Sequence, residues 1–148
     1  MNKEKLETNW PLVVAQMHEK FGVYDVVDTM DSARLRAFLE YRQLCLQEEL
    51  DEIHDGIVEK SPEQVVDGLI DLCVFAIGTL DLFGIRSHEA WNRVMDANLA
   101  KEVGVKKSTD GTPVRNNPHG LPDLIKPNGW QAPSHEGNHG LITKALSS

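Results

Sequence analysis

The segment from Leu69 to Phe83, LIDLCVFAIGTLDLF, is apolar almost all the way round the helix it would form. Such a helix has no face to offer water, so it belongs at the centre of a fold and obliges the rest of the chain to cover it. Its start is well marked. Ser61, Pro62 and Glu63 supply in succession an N-cap, a first helical position suited to proline and a first-turn acid. Gly84 marks its end. Upstream, Asp31 or Ser32 caps a longer helix in which Leu35, Leu39, Arg42, Leu46, Leu50, Ile53 and Ile57 recur at spacings of four and three. Before that, Thr8 or Asn9 caps a helix with Pro11 in its opening turn, running through VVAQMHEKF to Gly22. After it, Ser87 caps HEAWNRVMDANLAKE, which stops near Gly104. Four helices in close succession predict an all-α bundle.

The 148 residues suit one domain, with a helical body over about 8–103 and a loop-rich tail over about 104–148. Eleven of the 18 glycines and prolines fall in the last 45 residues, and two alternatives stand for the tail, that it folds back over the body or that it is unstructured beyond Pro133. Charge divides the same way. The formal net charge is −8; residues 1–103 hold ten basic and twenty acidic side chains, the remainder five and three. A body so acidic does not bind nucleic acid through a basic face. Cys45 and Cys73 lie in apolar helical runs and read as small core residues. The opening stretch MNKEKLETNWPLVV has no long apolar run, and no stretch reaches about 18 uninterrupted apolar residues. No membrane association is expected, and the expected location is the cytoplasm.

Some carboxylates stand where an apolar core is predicted. At about 100° per residue, Glu49 lies about 60° and Glu52 about 120° from the centre of the long helix's apolar stripe, on one side, whereas Glu48 falls nearly opposite it. Asp67 and Asp71 share a face of the apolar helix with Val74, Phe75 and Gly78. Burying them without cations would be strongly unfavourable, which predicts a neutralising partner. Two acids from each of two facing helices make an oxygen-rich site suited to Mg²⁺ or Mn²⁺. The competing reading is that Glu48, Glu49, Asp51, Glu52, Asp55 and Glu59 form only a solvated acidic face.

Glu48-Glu49-x-x-Glu52 followed by Asp67-x-x-x-Asp71 resembles the metal-binding signature of the all-α NTP pyrophosphohydrolase superfamily, with its MazG-like, dimeric dUTPase-like and phosphoribosyl-ATP pyrophosphohydrolase-like members. The order of parts agrees, from His18 to Gly22, through both acidic helices, to Ala97-Asn98-Leu99-Ala100-Lys101. The resemblance implies metal ligation by Glu49, Glu52, Asp71 and Asp67, with Glu48 as a water-activating base or ligand of an extra ion. One departure stands out. The superfamily usually has Glu-x-x-Asp in the second acidic helix, whereas the position three before Asp71 is Gly68. Asp67 would substitute for the missing acid. The tail from Asp123 to Pro133 is similar to a segment of phage-encoded MazG-like enzymes, some of the MazZ type and directed at dGTP. It implies a purine deoxynucleotide and, for a phage gene, a bacterial host cytoplasm.

The implied reaction is attack of a metal-activated water on a nucleoside triphosphate, giving monophosphate and pyrophosphate. Such a substrate needs cations to offset the acidic body. Lys101, Lys106, Lys107, Arg115 and Lys126 follow the acidic helices, and Asn98, Lys101, Lys126, Trp130 and His18 are expected to bind substrate. Trp91 is expected in the core, while Trp130 would cover the base or seal a subunit interface. Four helices with one nearly all-apolar member have more apolar surface than one small bundle hides, which predicts a homodimer or homotetramer. Two alternatives remain: a non-catalytic helical interaction module with a structural cation, or a dUTP- or dCTP-specific hydrolase of the same superfamily.

Overall fold

The computed structural model describes residues 9–114 and 118–147, which contain six helices and one two-stranded sheet. By its contacts the chain divides into two compact units, residues 1–87 with 137–148, and residues 88–136. The first unit holds α1 (Trp10–Lys20), α2 (Val23–Val27), α3 (Ser32–Val58), α4 (Pro62–Leu82) and α6 (Ile142–Ala145). The second holds α5, assigned Ser87–Leu99, and an antiparallel ribbon of β1 (Glu102–Gly104) and β2 (Asp123–Ile125). The all-α expectation holds, and no single helix is long and apolar enough to cross a membrane.

Local chemistry places the helix ends. The Asn9 side chain accepts from Leu12 N, Asp31 from Arg34 N and Ser61 from Gln64 N, each satisfying a first-turn amide that has no partner within its helix. Gly22, at φ 66°, turns the chain out of α1 and directly into α2, a short helix the apolar pattern does not announce.

In the first unit α3 and α4 lie antiparallel along most of their length, and α1 packs on α4. Small residues make the approach close: a Cβ at Gly68 would meet Ile53 Cγ1 at 2.7 Å, and one at Gly56 would meet Val65 Cγ2 at 3.0 Å. The buried positions of α3 are Leu35, Cys45, Glu49 and Gly56, whereas Leu50 and Ile57 are exposed. The face of α3 turned to α4 is therefore displaced by about one residue from the stripe the leucines and isoleucines suggest. That displacement carries Glu49 from the edge of the core into the seam.

Three expectations are overturned. α4 is not enclosed: Val66, Leu69 and Ile70 are each about half exposed, because α1 and α3 leave one of its flanks uncovered. Asp67 and Asp71 are consequently exposed and not buried. Trp91 is exposed too, at 66%, on a helix that has no buried residue. Of the two alternatives for the end of the chain, the structure shows order: it closes the core of the first unit. Ala145 is fully buried beside Val27, Leu35, Leu82 and Phe83. Asn138 is buried as well, its side chain accepting from Arg86 N at 2.8 Å and donating to Arg86 O at 3.1 Å. This pairing mimics a strand partner, a bond that composition does not reveal.

Candidate active site

Glu49 is the centre of the site. Its position on α3 faces Gly68 and Asp71 of α4, and its side chain is only 8% exposed. Oε2 is buried with no hydrogen-bond partner among the described residues. Burial first, and then the charges of Glu52, Asp71 and Glu48, push its carboxyl above the ordinary carboxylate range. A buried, unpartnered carboxylate surrounded by three others is unfavourable in isolation and is relieved by a proton or a cation.

The expected acids divide into two groups. Glu49, Glu52, Asp71 and Glu48 are close enough to interact electrostatically, with Glu49 buried and the other three exposed. Asp67 is exposed one position before Gly68. The close approach of Ile53 explains why an acid is absent at Gly68: a side chain there meets the neighbouring helix at its first carbon. Among the described residues no three His, Cys, Asp or Glu side chains converge into a closed metal cage. The donor chemistry nevertheless fits a hard divalent cation, since the charged groups that act on Glu49 are all carboxylates and its innermost oxygen has no partner among the described residues.

A second polar cluster lies along the same seam. His18 on α1 is buried, and its Nδ1 lies 2.6 Å from Asp81 Oδ2 on α4. The Tyr24 hydroxyl donates to the same oxygen at 2.6 Å. Burial and the Asp81 carboxylate push the Tyr24 phenol up to about 12. The native state thus keeps a proton that an unfolded tyrosine releases near pH 10, so this contribution is intact below pH 10 and declines as pH rises towards 12. An alkaline denaturation series should show that decline in the wild type and lose most of it in Tyr24→Phe; an unchanged profile would contradict the assignment.

Arg42 adjoins this cluster. Its Nε donates to Thr79 Oγ1 and its Nη2 to Phe75 O, both at 3.0 Å, and the guanidinium sits 4.9 Å from the Phe75 ring centroid. Gly78 makes room: a Cβ there would lie 2.8 Å from Arg42 Nη2 and 3.2 Å from His18 Cε1. The sequence offered a signal for both new residues. Arg42 interrupts an apolar stripe, and Asp81 stands in an apolar helix.

In the second unit the remaining expected residues meet. Lys101 precedes β1 and Lys126 follows β2, opposite each other next to the Glu102–Ile125 pair. Their ammonium groups lie 5.5 and 4.8 Å from the Trp130 ring centroid. Trp130 Nε1 donates to Ala97 O at 2.7 Å, and Lys101 Nζ donates to Asn98 Oδ1 at 2.9 Å. Lys106 and Lys107 are exposed, and Arg115 lies outside the described residues.

Residues 16–98 match the family model described as Phosphoribosyl-ATP pyrophosphohydrolase, a stretch that includes both acidic helices and the His18 cluster. Among curated proteins none matches the chain significantly.

Proposed function

The chain belongs to the phosphoribosyl-ATP pyrophosphohydrolase family, within the MazG-like superfamily, and on that premise we propose that it converts a deoxynucleoside triphosphate, with dGTP preferred, to the monophosphate and pyrophosphate. The family's chemistry is pyrophosphohydrolysis and generally depends on divalent cations. The observation that carries the reading is the buried, unpartnered Glu49 carboxylate among Glu48, Glu52 and Asp71.

Mg²⁺ or Mn²⁺ is the proposed ion, held by Glu49, Glu52 and Asp71 with Asp67 at the margin. When bound it lowers the pKa of a coordinated water and offsets triphosphate charge. Glu48, exposed beside the proposed ligands, would take the proton of the attacking water as its oxygen joins the α-phosphorus and the bond to the bridging oxygen breaks. Pyrophosphate leaves with that oxygen. Asn98, Lys101 and Lys126 are assigned to phosphate oxygens, and Trp130 holds the two lysines in place. His18, also proposed to bind substrate, is buried and paired with Asp81.

The test is a panel of ribo- and deoxynucleoside triphosphates, with phosphoribosyl-ATP included, incubated with Mg²⁺ or Mn²⁺ and resolved by anion exchange. Monophosphate plus pyrophosphate is the expected outcome. Diphosphate plus orthophosphate overturns the reaction, and preference for dUTP or dCTP overturns the purine assignment.

The uncovered apolar side chains of α3 and α4, including Ile57, Val66, Leu69 and Ile70, favour assembly into a homodimer or homotetramer. Light scattering at micromolar concentration should give at least twice the 16.6 kDa chain mass. A monodisperse monomer would contradict the assembly.

A further inference from the structure

Beyond the carboxylates, the α3–α4 seam opens into a cavity of about 310 Å³ in the first unit. Leu39, Leu46 and Leu146 give it apolar walls, while Arg36, Glu40, Arg42, Gln43 and Thr79 contribute polar groups. Arg42 is held at both Nε and Nη2 and rests on the Phe75 ring, so its guanidinium is fixed before any ligand arrives. Those two bonds use two of its five N–H groups. Among the described residues no carboxylate forms an ion pair with it, although it is half-buried. Glu40 is 63% exposed and makes an i,i+4 contact with Arg36 at 3.3 Å, a pair weak enough to be exchanged for a ligand.

The cavity thus holds a rigid group that only donates, Arg42, and a carboxylate that only accepts, Glu40, which a ligand reaches by displacing Arg36, between leucine walls. Guanine has the matching edges. Its O6 and N7 accept, and its N1–H and N2–H₂ donate. Adenine turns its N6 donor towards a guanidinium and its N1 acceptor towards a carboxylate, and cytosine likewise offers an amino donor to the guanidinium. Arg42 and Glu49 are seven residues apart on one face of α3, about 10 Å along the axis. A sugar can span that interval between a base at Arg42 and a phosphate at the carboxylates.

We propose that this cavity is the nucleobase site, with Arg42 donating to O6 and N7 of guanine and Glu40 accepting from N1–H and N2–H₂. The assignment rests on the triphosphate hydrolysis proposed above and names its specificity residues.

The test begins with substrate analogues on the unmodified protein, so that it does not depend on a variant folding. The kcat/KM is compared for dGTP, 7-deaza-dGTP, which lacks the N7 acceptor, dITP, which lacks the 2-amino group, and dATP. Each single-group deletion should lower kcat/KM by about 10-fold, and dATP by more. In Arg42→Lys the 7-deaza penalty should shrink towards unity while the dITP penalty persists; in Glu40→Gln the reverse should hold. Equal rates for all four substrates, or penalties unchanged in both variants, overturn the base site and leave the hydrolysis standing. Calorimetric titration with dGMP separates the other failure. Binding that weakens about 10-fold in Arg42→Lys supports the cavity even if no triphosphate is hydrolysed, and no dGMP binding to the unmodified protein overturns it.

Discussion

Replacing Glu49 by glutamine is expected to abolish pyrophosphate release while making the protein without added metal more stable. The substitution keeps the shape of the side chain and removes a charge that burial and three neighbouring carboxylates oppose. If this oxygen anchors the cation, turnover should fall by about 10³-fold or more, the scale of losing several kcal/mol of transition-state stabilisation. Metal-dependent thermal stabilisation should weaken along with it. Melting curves with and without Mn²⁺, run beside the activity assay, give both readouts. Glu52→Gln and Asp71→Asn should also abolish turnover, but with smaller gains in stability because their carboxylates are exposed. A Glu49→Gln protein that still releases pyrophosphate would show that the ligand set is wrongly assigned.

Gly140→Ala is expected to produce the largest loss of stability from a single methyl group. Gly140 has φ 51°, and a Cβ built there would lie 1.9 Å from Phe83 O, inside any permissible contact. Relieving it means moving backbone, because the neighbouring atoms are carbonyls of Phe83 and Gly84. The displacement would disturb the Leu141 N to Phe83 O hydrogen bond of 2.7 Å and the seating of Ala145 in the core. A loss of about 3 kcal/mol follows from combined backbone strain and lost packing, or roughly 6–12 °C in Tm for a chain of this size. Gly120→Ala is the control. It also has positive φ, at 67°, but nothing within 4 Å of the added carbon, so about 1 kcal/mol of conformational strain is the whole expectation. Equal melting temperatures for the two variants would mean that the C-terminal segment does not close the core as described.

Much of the molecule was legible in the residues because its determinants are local. Asn9, Asp31 and Ser61 cap helices through bonds to residues three positions on, and such bonds depend on little else. The acids of α3 stood out for a related reason: Glu48, Glu49 and Glu52 occupy distinct angles on one helix, and those angles follow from helical geometry. The outward position of Glu48 needed nothing more.

The tertiary structure decided what depends on which helix faces which. Glu49 enters the seam because Gly68 and Gly56 let α3 and α4 approach closely, which shifts the buried face of α3 away from Leu50 and Ile57. Asp71 is exposed because packing leaves a flank of α4 uncovered, and composition measures how apolar a helix is, not whether a neighbour covers it. The His18–Asp81 contact joins residues 63 positions apart, Arg42 reaches Phe75 across 33, and Asn138 reaches Arg86 across 52. No periodicity records such pairings. They arise when helix packing turns particular side chains towards one another, and the same packing brings the glycine-rich end of the chain back to cover Phe83.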